Sequence, residues 1–409
     1  SLEATGTPIG GTDPRDPAAV GRELGAVLAA LPVGPLGSVS AGLRDVRPQA
    51  SRVTTGPPVT AALGSAEPML GPSHQGSGAF DPAFVFVVLF PLVVIALSHD
   101  LLSGERERGT LALLLAQPLT QSQLVFGKAV ARGLLLLAVS VVFAVLGVVL
   151  AGGDLASPSA WLLALGYVLG VSAYGAFWFA LAIAVNSRAG SSARNALILI
   201  GVWLGLTVVV PGVLRVLVEW LHPPPSRVEL VNEAREAAEE TEEELGALVG
   251  QHGAPDAGAA LVSAAARAVA GEAELARRTE PVVEAFRTQL EAQQAVVTSL
   301  QVASPAILLQ ELLNDVAGTG SRRQERFERQ VDGFHRQWRA SFAARAAAGG
   351  EDDRFTGPEY AQLPAFSFEE EPVADVFARL SWALLGMLLP ALALLALALP
   401  GLRSVGRLS

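Results

Sequence analysis

The chain has 409 residues and a net charge of −10, with 51% hydrophobic and only 17% charged residues. Soluble domains carry about 25% charged residues, so this balance is unusual and raises the question whether the apolar excess is concentrated in membrane spans. With no cysteine, the chain has no disulfide framework, cysteine-zinc site, thiol nucleophile or iron–sulfur cluster. The acidic balance also argues against nucleic acid as a partner, since that needs a basic face.

In chain order, region 1–79 comes first. It is rich in Gly, Pro, Ser and Thr and shows little periodicity. One short helix is expected near Ala18–Leu31, and the rest is expected to be extended and to lean on a later soluble region. Five long, nearly uncharged stretches follow: Ala83–Leu97, Leu134–Ala151, Trp161–Val185, Ala196–Leu214 and Leu380–Leu402. A helix needs about 20 residues to cross about 30 Å of hydrocarbon. The first stretch is short for this, and is expected to continue past Ser98 toward Leu102. Soluble helices of such length carry a polar stripe; the third and fifth stretches have none. The fold class is therefore all-α: a polytopic helical membrane protein with five spans, carrying a helical extracytoplasmic domain.

Basic residues in short loops set the orientation. Arg106, Arg108, Lys128 and Arg132 lie between spans one and two, Arg188 and Arg194 between three and four, and Arg403 and Arg407 after span five. The connection between spans two and three holds only Asp154. These loops and the C-terminus are read as cytoplasmic, and regions 1–79 and 223–373 as outside. An outside N-terminal region with no signal peptide leads us to expect a further membrane helix upstream, giving six spans. The divisions are thus 1–79, spans one to four in 80–222 with a cytoplasmic loop at 99–125, the outer domain 223–373, and 374–409.

The outer region carries a net charge of −12, so the remainder is slightly basic. Helices are expected over Val228–Val249 and Ala259–Leu300 from their Ala, Glu, Gln and Arg content. Ser304-Pro305 opens another, with Pro at the first helical position, and Gly318–Gly320 ends it. Arg322–Ala348 forms the last, with Phe327, Val331, Phe334, Trp338 and Phe342 on one face as a core stripe. Together these read as a helical bundle or long hairpin projecting outside. The run Glu239–Glu244 reads as a solvated face.

No catalytic constellation is visible: there is no Walker A loop, HExxH or GxSxG. His74, His99, His222, His252 and His335 sit at no metal-ligand spacing, so no metal site and no cofactor bound by this chain are expected. The informative segment is the first cytoplasmic loop. Glu105, Arg106, Glu107 and Arg108 alternate in sign and end at Gly109-Thr110; a short apolar run Leu111–Ala116 and Gln117-Pro118 follow. Lys128 and Arg132 then share one helical face. This chemistry suits an ordinary juxtamembrane loop with snorkelling basic residues as well as a docking element.

Glu105-Arg-Glu-Arg-Gly-Thr-Leu, Gln117-Pro118-Leu and Gly127-Lys128 resemble the first cytoplasmic loop of type-2 ABC exporter permeases. The resemblance is to the multi-copper-enzyme-maturation and gliding-motility-like branch. It extends through Gly78-Ala-Phe-Asp-Pro82, Ser304-Pro305-Ala306, Ala317-Gly318-Thr319 and Leu363-Pro364-Ala-Phe366. It implies a permease subunit of the bacterial inner membrane without its own ATPase site, pairing with a second permease subunit. It also implies two separate ATPase subunits that hold ATP and Mg and push on Glu105–Thr110, tilting spans one and two. The metal-related label of the branch has no counterpart among these residues. Small-residue pairs Gly166/Gly170 and Gly201/Gly205 suit close helix packing, within one subunit or between two. Pro91 and Pro211 are placed to kink spans one and four, and Arg215 and Glu219 are spaced to pair. The alternative function is a membrane-anchored sensor or scaffold whose outer domain binds an extracytoplasmic protein.

Overall fold

A computed structural model gives the architecture. It describes residues 27–34, 36–40, 42, 49–55, 82–150, 157–188, 190–221, 301–348 and 363–404, with scattered positions between 232 and 299. The expected helices over Val228–Val249 and Ala259–Leu300, Asp154, and the side chains of Arg215 and Glu219 lie outside what is described.

Five helical stretches are long and apolar enough to cross a membrane: Pro82–Glu107, Gln121–Leu150, Pro158–Asn186, Ser192–Val218 and Val373–Leu402. In elements, span one comprises α1 (Pro82–Phe84), a π turn (Val85–Leu89) and α2 (Phe90–Ser98). Short helices α3 (Ser103–Glu107) and α4 (Leu111–Leu115) lead to span two, α5 (Gln121–Leu150). Span three is α6 (Pro158–Asn186); span four is α7 (Ser192–Leu204), a π turn (Gly205–Val209) and α8 (Val210–Leu221). Then come α9 (Pro305–Ala317), α10 (Ser321–Ala348) and span five, α11 (Val373–Ser404).

Span three is the hub. It packs against α2, α5, α9 and α11, and Tyr167, Tyr174 and Trp178 on it are almost wholly buried. Its lack of any charged stripe follows: most of its surface is covered by protein and the rest is apolar, with Trp161, Leu162, Leu165 and Leu169 exposed, so no face needs water. Phe86 meets Tyr167 and Phe143 edge-on, tying spans one, two and three.

Pro91 and Pro211 each follow a π turn. Pro91 has no N–H for the Val87 carbonyl four residues back. That oxygen accepts the Tyr174 hydroxyl at 2.9 Å, and the Val88 carbonyl accepts Trp203 Nε1 at 3.1 Å. In span four, Val210 N–H reaches back five residues to Gly205. The Leu206 carbonyl, which Pro211 would serve next in that register, accepts Ser304 Oγ at 2.6 Å. In an apolar medium freed carbonyls must find partners, and side chains of neighbouring elements supply them.

Helix α9 runs between the caps expected of it. Ser304 Oγ accepts the Ala306 N–H, Pro305 occupies the first turn, and Gly318 adopts φ 71° at the C-terminal end. Its position differs from the expected outer bundle. Leu308, Leu309, Leu312, Leu313 and Val316 join the core of the membrane spans. The reason is fit: a 13-residue helix with a continuous leucine face drops into a groove floored by glycine. A Cβ on Gly170 would lie 2.4 Å from Leu312, and one on Gly386 2.7 Å from Leu308.

A second, smaller core lies beyond this end of the bundle. Phe327, Val331, Phe334, Trp338 and Phe342 of α10 pack with Ala29, Leu31 and Val53, flanked by Leu363, Phe366 and Phe368. The N-terminal contribution is an antiparallel pair, β1 (Val27–Ala30) with β2 (Ala50–Val53), Val27 opposite Val53. This corrects the helix expected to end at Leu31: at 27–30 the chain is a strand, with Ala29 buried and Leu28 63% exposed. Alternation of period two and a paired neighbour outweigh the helical propensity of a Val-Leu-Ala-Ala run. Past β1 the chain presses onto the α9–α10 turn, where a Cβ on Gly34 would lie 2.1 Å from the Ala317 carbonyl oxygen. Ser40 Oγ donates to Asn314 at 2.7 Å, and Ser38 Oγ to the Gly147 carbonyl of span two at 3.0 Å.

Candidate functional site

At the opposite end of the bundle, the segment 98–110 meets the start of span two and the junction of spans three and four. Helix α3 ends because Gly109 adopts φ 72°, a left-handed conformation suited to glycine. The turn is then closed by a carboxylate. Glu105 Oε1 accepts Lys128 Nζ at 2.8 Å and Arg108 Nη2 at 3.0 Å. Its Oε2 accepts the Thr110 hydroxyl, and its backbone carbonyl accepts Thr110 N–H at 3.0 Å. Lys128 also caps the Leu101 carbonyl at 3.3 Å. One turn further along span two, Arg132 donates to the Leu97 carbonyl and lies 3.5 Å from Asp100. The i, i+4 pair on span two thus grips the end of span one at two points.

Glu107, Arg108 and Gly109 form the exposed tip, while Glu105, Arg106 and Thr110 are half-buried. The tip is also tied to span four: Glu107 Oε1 accepts the Ser192 backbone N–H at 2.7 Å. Helix α4 follows with Leu113 73% exposed.

Beneath the tip lies a buried polar cluster that sequence reading did not single out. Ser98, Ser103, Asn186 and Asn195 are all no more than 1% exposed. Asn186 Nδ2 donates to the carbonyls of Ser98 (3.0 Å) and Ala182 (2.9 Å). Asn195 Nδ2 approaches Asn186 Oδ1 (3.2 Å), Ser103 Oγ and the His99 carbonyl (both 3.4 Å). Ser192 Oγ donates to Ser103 Oγ at 2.9 Å. The one signal for this cluster was the pair of asparagines bounding the loop between spans three and four.

The small-residue pairs separate. Gly166 and Gly170 lie against Val316 and Leu312 of α9, with Leu380 of α11 also near Gly166. Among the described residues nothing lies within 4 Å of a Cβ position on Gly201 or Gly205. Among the described residues no three His, Asp or Glu side chains gather as a metal site.

Four membrane-crossing helices around a fifth, with a braced polar loop at one end and a second small core at the other, define a polytopic helical membrane protein. The family is shown by sequence: the model of ABC-2 family transporter proteins matches residues 48–399. The chain belongs to that family. It is also similar to the probable ABC transporter permease protein NosY of Pseudomonas aeruginosa, 37% identical over 118 residues. That match covers 28% of this chain and 43% of the relative. A second relative of the same description, from Stutzerimonas stutzeri, is 48% identical over 48 residues, 12% of this chain and 17% of its own length. The chain thus matches less than half the length of either relative.

Proposed function

We propose that this chain is the membrane permease subunit of an ABC exporter in a bacterial inner membrane. It pairs with a second permease subunit and works with a separate ATPase that holds ATP and Mg. The loop around Glu105–Thr110 takes the push of the ATPase, and the opposite end of the bundle opens outward in response. The observation that carries this reading is the bracing of the exposed tip. A tip held only by its own backbone would fold aside under load. This one is tied to span two through Lys128, to span four through Ser192 and, beneath it, to span three through Asn186. A displacement at Glu107–Gly109 therefore reaches four spans, not only the first two. Membership of the multi-copper-enzyme-maturation and gliding-motility-like branch is the finer part of the proposal, supported by the similarity to the NosY permeases.

The test is co-purification of the chain with its ATPase, then ATP hydrolysis in liposomes. Glu105→Lys with Glu107→Lys reverses both carboxylates of the loop. It is expected to abolish assembly or the stimulation of hydrolysis, and full retention of both contradicts the assignment. Orientation is tested in the cysteine-free background. A thiol introduced by Leu113→Cys is expected to label from the cytoplasmic side, and one from Gln337→Cys from outside.

A further inference from the structure

Span one breaks between the end of α2 at Ser98 and the start of α3 at Ser103. In a continuous helix the Leu102 N–H would pair with the Ser98 carbonyl, four residues back. Here those two groups do not meet. Leu102 N–H donates to Asn186 Oδ1 at 3.4 Å, and the Ser98 carbonyl accepts Asn186 Nδ2 at 3.0 Å. One amide from the far end of span three stands between the donor and acceptor that a helix would join. The same Nδ2 also reaches the Ala182 carbonyl of its own helix, and Asn195 supports Oδ1. Asn186 is 0% exposed. A buried N–H or C=O without a partner is strongly disfavoured; the Ser98 carbonyl also takes the Leu101 N–H at 3.4 Å, but the partner of the Leu102 N–H is the Asn186 amide. Only a short side chain with both a donor and an acceptor can meet both groups.

We infer that Asn186 is the positioning residue of the coupling joint. Its amide splices the break between α2 and α3, keeps that joint from closing into a straight helix, and passes displacement of the loop into spans three and four. This rests on the reading of Glu105–Thr110 as the element that meets the ATPase. Asn186 touches neither ATP nor the exposed tip. Its replacement removes the brace between the loop and span three while the tip side chains Glu107 and Arg108 keep their identity. Asn186→Leu removes both polar ends, so the Leu102 N–H loses its acceptor and the Ser98 carbonyl keeps only the Leu101 N–H at 3.4 Å. Asn186→Asp retains an acceptor for Leu102 but no donor for Ser98.

The experiment uses the full chain in complex with its ATPase in nanodiscs. Leu312→Cys supplies a reporter thiol at a buried position against Gly170, near the middle of span three. With Asn186 intact, Mg-ATP is expected to increase labelling of that thiol. In Asn186→Leu complexes compared at equal ATPase occupancy, the ATP-dependent increase is expected to be lost. Asn186→Asp is expected to reduce it. An undiminished increase in Asn186→Leu overturns the inference. Should Asn186→Leu fail to fold, amide exchange in the unsubstituted complex decides. Mg-ATP is expected to change protection at 99–104, and no change there while α4 responds overturns the inference. No ATP-dependent labelling in the complex with Asn186 intact defeats the transporter reading itself, a failure visible before Asn186 is replaced.

Discussion

Gly170→Ala is the sharpest probe of how α9 is held among the spans. The added Cβ would lie 2.4 Å from Leu312 Cδ2 and 2.9 Å from its Cδ1. Carbon atoms pack at about 3.5–4.0 Å, so Leu312 must retreat by about 1 Å. Leu312 is 4% exposed and enclosed by the core, which leaves it little room. Overpacking of this kind costs about 1–3 kcal/mol. Replacing glycine by alanine in a helix interior returns about 0.8–1.0 kcal/mol of intrinsic propensity. Gly201→Ala gains the same propensity with nothing among the described residues within 4 Å to strike. The propensity gain cancels in the comparison, so Gly170→Ala should be less stable than Gly201→Ala by about 1–3 kcal/mol. Thermal unfolding of the detergent-solubilised monomer, followed by tryptophan fluorescence, reads the difference. Adding Leu312→Ala should recover part of the Gly170→Ala loss, with a coupling of about 0.5–3 kcal/mol. Equal melting of the two single variants, or no coupling in the double, refutes the packing of α9 into the glycine groove.

Three further outcomes are expected. Trp338→Ala empties the centre of the small core, where the ring is 0% exposed and lies 5.0 Å from Phe342. It should cost about 3–5 kcal/mol and speed amide exchange across 321–342 while the spans stay protected. Gly34→Ala meets a backbone carbonyl, not a side-chain tip, so it should release the segment 31–40 from the α9–α10 turn, seen as early proteolysis there. Arg379 binds Glu371 at 2.7 and 2.8 Å and Asp315 at 2.9 Å. The guanidinium holds the Glu371 carboxyl below its ordinary range. A carboxylate with a depressed folded pKa adds stability above its unfolded value and loses it as pH falls through the folded one. Stability should therefore drop below the ordinary carboxylate range in the unsubstituted chain, and by less in Arg379→Met.

Much of this fold is legible in the sequence where one residue type has one physical use. The spans are runs without charge, Ser304-Pro305 and Gly318 bound α9, and the stripe from Phe327 to Phe342 forms a core. Three features were not legible, each for a physical reason. The strand at Val27–Ala30 has the composition of a helix, and its partner lies beyond an intervening stretch of about twenty residues. The depth of α9 depends on Gly170 and Gly386, which reveal a groove only once three helices are assembled. The Asn186 cluster depends on contacts across more than eighty residues, and a lone asparagine at a helix end usually caps a local turn.

The central claim is that force applied to the loop at Glu105–Thr110 opens the other end of the bundle. The most direct measurement is labelling of the thiol from Leu312→Cys in the complex with the ATPase, with and without Mg-ATP, while Asn186 is intact. Labelling is expected to rise with Mg-ATP, and Glu105→Lys with Glu107→Lys to abolish the rise. Labelling that ignores ATP, or that rises equally in the charge-reversed loop, contradicts the claim.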